Sequence, residues 1–193
     1  MILRNNLFSD RIELVSYSEL SEDEEVRRKY LKWLEDLDVV KYLNVEDLLI
    51  PKGLEFIEQS FERFTQKDSI GFFIRVIKTG EVIGNVKLSN INHYKRSAND
   101  GIMIGEKDWW GKGIFYEAFL LLLDYGFNTL GLNRITGGCN VNNLGIPKTL
   151  ERIGYKKEGE LRHADYINGE YSNHLIYGIK REEFLNHISS LRK

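Results

Sequence analysis

The sequence predicts one mixed α/β domain spanning 1–193, and three observations predict it. Two apolar, β-branched runs, 71–77 and 82–88, are joined by the polar turn Lys78-Thr79-Gly80-Glu81, the pattern of a β-hairpin. Between 114 and 128, Phe115, Ala118, Phe119, Leu122 and Gly126 recur at helical spacing, so one face of a helix of about four turns is buried. The segment order is strands, then helix, strand and helix, then two strands, which suits a mixed α/β architecture.

Taken in order, Arg11-Ile12-Glu13-Leu14-Val15 alternates apolar and polar residues and reads as a first strand. Ser21-Glu22-Asp23-Glu24 then places a hydroxyl and carboxylates where a helix N-terminus favours them. Tyr30, Leu31, Trp33, Leu34 and Leu37 form one helical stripe behind it. Residues 44–52 read as a loop, with Pro51 opening a further helix through Phe56, Ile57, Ser60, Phe61 and Phe64. After the hairpin, 89–97 is polar and reads as a loop leading to a third antiparallel strand that ends at Gly105.

Residues 133–140 read as another strand, and Gly137-Gly138 inside it mark a bulge or a close backbone approach. A loop at 142–147 follows, with Pro147 suited to the first position of a helix that Gly154 stops. The last strands are expected at 155–162 and 171–180, on either side of the turn Asn168-Gly169.

Composition narrows the function. Hydrophobic residues make up 42% and charged residues 29%, an ordinary mix for a soluble globular protein. The 27 basic and 29 acidic side chains leave a net charge of −2, so neither nucleic acid nor a membrane surface is expected as a bulk partner. Cys139 is the only cysteine; it excludes an internal disulfide, suits a reducing cytoplasm, and reads as a small core residue rather than a nucleophile. There is no signal-peptide core, and the longest apolar run, 118–123, is too short to span a bilayer, so a soluble cytoplasmic protein is expected. His93, His163, His174 and His187 are scattered without metal-ligand spacing, no Ser-His-Asp set is apparent, and no Gly-Lys-Ser/Thr follows a glycine loop. Hydrolase, metalloenzyme and P-loop readings are therefore set aside, and no metal is expected.

One stretch organises the rest. Asp108-Trp109-Trp110-Gly111-Lys112-Gly113 lies between the strand at 101–105 and the long helix. Glycines there let the backbone turn tightly, and the first amides of the helix lack internal partners. Those amides and the helix dipole make either an ordinary strand-to-helix turn or a seat for a phosphate.

This strand, the loop and Tyr116-Glu117-Ala118 resemble the coenzyme A-binding motif of the GNAT acetyltransferases, most closely their Rim-type branch. The resemblance continues through Asn143 and Leu150-Glu151-Arg152-Ile153-Gly154-Tyr155 and covers about 9–184. It implies a mostly antiparallel central sheet, splayed at its middle and flanked by helices, with acetyl-CoA as acyl donor and a small-molecule amine as acceptor. By the same resemblance the amides of Trp110, Gly111, Lys112, Gly113 and Ile114 hold the pyrophosphate, with Lys112 adding charge. The amide of Ile104 polarises the thioester carbonyl, and Asn143 bonds the pantetheine arm. The family often opens the loop with Arg or Gln, where this chain has Asp108. Its acid Tyr and its alternative Ser are replaced by Leu150 and Ile146. Its carboxylate base falls at Asn99, so Asp100 is the candidate base only if the strand shifts.

For the acceptor, the resemblance implies a site walled by the two helices before the hairpin and the loop between them, which makes Trp33, Tyr42 and Leu43 candidates, with Trp33 open to a plain core reading. The run from Glu158 to Tyr171 looks like GNAT enzymes that acetylate amino sugars on nucleotide carriers. Arg162, His163, Tyr166 and Tyr171 in it are the types that bind a sugar and a diphosphate, or else ordinary residues of a hairpin rim. The leading expectation is an N-acetyltransferase for an amino sugar. A protein N-terminal acetyltransferase and a non-catalytic acetyl-CoA-binding domain are its alternatives.

Overall fold

The computed structural model describes residues 7–43 and 53–191. Strand β1 (Ile12–Ser16) opens the chain, and a single turn, α1 (Tyr17–Leu20), follows it. Helix α2 (Glu24–Glu35) starts at Asp23, whose carboxylate accepts from the N–H groups of Glu25 and Val26, so the acidic run supplies the cap. Leu37 does not continue the buried stripe. Helix α2 has already ended, and Leu37 opens the short α3 (Leu37–Val40) with its side chain 81% exposed. The loop expected at 44–52 and the Pro51 helix start lie outside the described residues; Gly53 caps α4 (Leu54–Arg63).

Strands β2 (Ile70–Val76), β3 (Val82–Asn92) and β4 (Ser97–Ile104) form an antiparallel meander. The polar stretch after residue 88 is strand for most of its length, because cross-strand pairing extends to Asn92 and Ser97. Helix α5 (Ile114–Asp124) runs on through a wider turn at Tyr125–Thr129 into β5 (Arg134–Asn140). Helix α6 (Gly145–Ile153) begins two residues before Pro147, which still sits in the first turn, where a missing N–H leaves no bond unmade. The hairpin of β6 (Lys156–Ile167) and β7 (Glu170–Lys180) is longer than expected. It leads into α7 (Arg181–Leu191), a helix absent from the sequence reading.

The sheet order is β1-β2-β3-β4-β5-β7-β6. Every neighbouring pair is antiparallel except β4 and β5. That parallel pair is matched only from Ser97–Asn99 to Arg134–Thr136, and beyond Asn99 the strands part. The resulting mostly antiparallel sheet, split at its middle and flanked by helices, is the architecture the resemblance implied. One face packs Ala98, Ile135, Leu175 and Tyr177 under α5, α6 and α7. The other packs Tyr17, Phe73 and Met103 under α2 and α4. Since successive strand residues point to opposite faces, each side of the split presents its own set of side chains.

Candidate active site

The chain leaves β4 through one tight turn, Lys107–Trp109, and enters α5 at Gly113. Gly111 and Gly113 hold φ values of 70° and 78°, a region that glycine enters without strain. No side chain caps the helix, and its first backward bond runs from the Glu117 N–H to the Gly113 carbonyl. The N–H groups of Ile114, Phe115 and Tyr116 therefore have no intrahelical acceptor, and with the helix dipole they make a seat for an anion. Arg11, beside β1, braces this seat. Its guanidinium donates to the Lys112 carbonyl at 3.0 Å and to the buried carboxylate of Glu117 at 2.7 Å. The Trp110 and Lys112 N–H groups, expected to hold a phosphate, are turned inward instead and donate to the Lys107 and Trp109 carbonyls at 3.0 and 3.4 Å. The Lys112 side chain is exposed, with its ammonium 5.3 Å from the ring centre of Trp109.

The split strand supplies a second set of donors. The Gly105 N–H bonds the Ile83 carbonyl at 2.9 Å, and antiparallel alternation then turns the N–H and C=O of Ile104 away from β3, toward the gap. The Trp110 indole N–H takes that carbonyl at 2.8 Å, so the loop is pinned to the strand and the Ile104 N–H faces the opening. A cavity of about 840 Å³ follows the gap from the loop, past Ile104 and Asn143, to the face under α2 and α4. Asn143 is half-buried in a turn closed by its own N–H, which donates to the Asn140 carbonyl at 3.0 Å. Ile146 and Leu150 also line the cavity, so the two positions where the family carries a hydroxyl are apolar here.

Asp100 stands where the strands part. The β3–β4 register is continuous through it, so Asp100 keeps the α5/α6 face and does not take the place of Asn99, which lies on the other. Its carboxylate lines the cavity and accepts the Tyr155 hydroxyl at 2.5 Å. A side chain on Gly137 of β5 would overlap that carboxylate, which explains why glycine stands there. Burial pushes the Asp100 carboxyl up to about 6, although the Tyr155 hydrogen bond pulls the other way.

The remaining candidates divide. Tyr42 lines the cavity and its hydroxyl donates to the Asn142 carbonyl at 3.3 Å, spanning from the end of α3 to the loop before α6. Trp33 is buried in the core under α2 and α4; its indole N–H donates to Glu106 at 2.9 Å and its ring lies against Gly105. Arg162, His163, Tyr166 and Tyr171 are exposed on the β6–β7 hairpin and do not line the cavity. His163 and Tyr171 stack on each other, 5.8 Å between ring centres. Cys139 is buried, and burial with the nearby Asp165 charge pushes its thiol up to about 11.

Sequence reasoning missed the Arg11–Glu117 brace and a second group on the sheet. His174 on β7 lines the cavity and is 3.0 Å from Asp165 on β6, which also accepts from Asn140 on β5 at 2.7 Å. The β6–β7 register shifts between Leu161 and Asp165, and His163, inside the irregular stretch, has a φ of 51°. That bulge is what places Asp165 against His174, and nothing in the sequence spacing announces it. Among the described residues, no cluster of His, Cys, Asp and Glu suits a metal ion, and no helix is long and apolar enough to cross a membrane.

A sheet that splits beside a helix N-terminus with open amides is built to hold a long ligand with an anionic end in its gap. The family comparison agrees: residues 9–156 match the acetyltransferase (GNAT) domain, and the chain belongs to that family. It is 30% identical over 164 residues to the uncharacterized N-acetyltransferase p20 of Bacillus licheniformis, covering 84% of this chain and 90% of the relative. It is 35% identical over 106 residues to spermidine N(1)-acetyltransferase of Escherichia coli, covering 55% of this chain and 56% of that one. Among solved structures, spermidine N-acetyltransferase from Vibrio cholerae, crystallised with CoA and spermine, superposes with a TM-score of 0.80 at 23% identity. That match covers 92% of this chain and all (100%) of the other. The protein is thus an acetyl-CoA-dependent N-acyltransferase by family. These comparisons do not single out the Rim-type branch or the amino-sugar enzymes.

Proposed function

We propose that the chain, acting as one domain, moves the acetyl group of acetyl-CoA to the primary amine of a small molecule. The observation that carries this reading is the split between β4 and β5, which runs from the anion seat of α5 to the face under α2 and α4. The amides of Gly113 and Ile114 fit the pyrophosphate, and Arg11 fixes the loop that presents them. The Ile104 N–H fits the thioester oxygen, where a donor aimed at developing charge contributes most. Asn143 fits the pantetheine amides. Asp100 is assigned to the thioester end: a carboxyl at about 6 exchanges protons readily near neutral pH and is suited to serve the leaving thiolate.

The acceptor enters from the α2/α4 side, past Tyr42, Phe64 and Lys87. The amino-sugar reading loses its support, since the four residues that suggested it stand outside the cavity. Relatives named for spermidine make polyamines the first amines to try. The described lining of this side includes the cations Arg63 and Lys87 as well as Asp38, so a monoamine bearing an acidic group belongs in the same panel. The test is amine-dependent release of free CoA thiol over polyamines, amino acids, amino sugars and N-terminal peptides. Release with a small amine supports the reading; release with peptides alone would favour a protein acceptor, and none with any amine would leave a binding domain.

A further inference from the structure

An amine that is protonated at neutral pH must lose a proton before its nitrogen can attack. The family's carboxylate is absent at Asn99, and Asp100 lies on the opposite face of the sheet. Leu175 and Tyr177 point into the core under α5 and α6. His174, next to Leu175 on β7, therefore points to the other face, the one that carries Met103 and the acceptor side of the cavity. Its Nδ1 faces both oxygens of Asp165, at 3.0 and 3.2 Å. Its Nε2 lies against Gly138 of β5, where an added Cβ would approach to 2.6 Å.

Asp165 is well placed to fix that ring. Its side chain is 7% exposed, against 21% for His174, and it accepts from Asn140 Nδ2 at 2.7 Å. Asn140 in turn accepts the Asn142 N–H at 2.9 Å, tying the pair to the loop that carries Asn143. A buried carboxylate on Nδ1 selects the tautomer with a proton there and a bare lone pair on Nε2.

We propose that Nε2 of His174 takes the proton of the acceptor amine, with Asp165 as its positioning residue. This rests on the acetyl-transfer reading above. In the step, one N–H bond of the ammonium breaks and its proton goes to Nε2. The freed nitrogen pair forms the C–N bond, and the C–S bond breaks with its electron pair on sulfur. The thiolate takes a proton from Asp100, and the second amine proton replaces it on that carboxyl. His174 then returns its proton to water. The titratable group in contact with it is Asp165 on β6; Cys139 on β5, whose thiol stays protonated, lies on the core face with Leu175. Across the cavity stand Asp38, Arg63, Lys87, Asp100 and Arg152.

The test uses the full-length protein in two arms. In the first, the ring nitrogens of His174 are read by 15N NMR at neutral pH, assigned by difference from His174→Gln. A proton on Nδ1 with a bare Nε2, moved by Asp165→Asn, supports the proposal; a proton fixed on Nε2 overturns it. In the second, His174→Gln lowers kcat for the best amine about 10²–10⁴-fold and removes the acid limb of the pH–rate profile, with the Kd for acetyl-CoA unchanged. An unaltered rate and limb, or a loss confined to acetyl-CoA affinity, would overturn it. If the wild type transfers to no amine, the parent reading fails, while the NMR arm still decides whether Nε2 of His174 is bare.

Discussion

The hydroxyl of Tyr155 donates to Oδ2 of Asp100 at 2.5 Å, at the point where β4 and β5 stop pairing. Burial raises the Tyr155 hydroxyl well above its usual range, and the Asp100 charge raises it further, so the proton of this pair is exchanged at the carboxyl. Asp100 is raised from 3.8 to about 6. A carboxyl raised in the fold contributes stability fully below its unfolded value and loses it as pH climbs through the folded one. Stability should therefore fall between about pH 4 and about pH 7 by up to ~3 kcal/mol, from about 1.4 kcal/mol per unit, less what solvent in the cavity screens. Asp100→Asn should flatten that slope in urea unfolding at several pH values. An identical slope in the variant would place the titration elsewhere.

Gly137→Ala should be destabilising, by about 1–3 kcal/mol as for other overpacked sites, because the new methyl meets the Asp100 carboxylate. Pairing it with Asp100→Ala should recover much of the loss, since contacting residues are not additive. Unfolding free energies of the four proteins in the cycle give the answer. Additive losses would mean that the two side chains do not meet.

Acetyl-CoA should raise the melting temperature of the wild type, because a ligand that binds only the folded chain stabilises it. Gly113→Val should abolish that shift: the residue holds a φ of 78° at an N-cap without side-chain help, and a β-branched side chain disfavours that conformation. Lys112→Ala should only reduce the shift, as the exposed ammonium adds charge but no framework.

Arg162→Ala should change the KM for the amine and for acetyl-CoA less than about twofold, within the ordinary range of surface changes. Arg162 is exposed, and Tyr166 and Tyr171 beside it are 65% and 67% exposed. A strong rise in the amine KM alone would bring the hairpin back into the acceptor site.

What the sequence disclosed was what contiguous residues encode. The glycines of the loop, the helical spacing of Phe115 to Leu122 and the alternation in β1 each carry their own signal within a few positions. The stretch after Leu88 reads as loop because polar residues continue there, although backbone pairing carries the strand on to Asn92. The missed site residues share another property: their partners are distant or displaced. Arg11 and Glu117 meet across 106 positions. Asp165 and His174 meet only because the bulge in β6 shifts the register. The tyrosines of the hairpin misled in the opposite way, since their chemistry suited a sugar while β6 and β7 carry them away from the gap.

The most direct measurement is mass spectrometry of the amine after turnover with acetyl-CoA deuterated in the acetyl methyl group. The account predicts that the label appears on the nitrogen of a small primary amine, one acetyl for each CoA thiol released. Label recovered only as free acetate, or left on CoA with every amine, would contradict it.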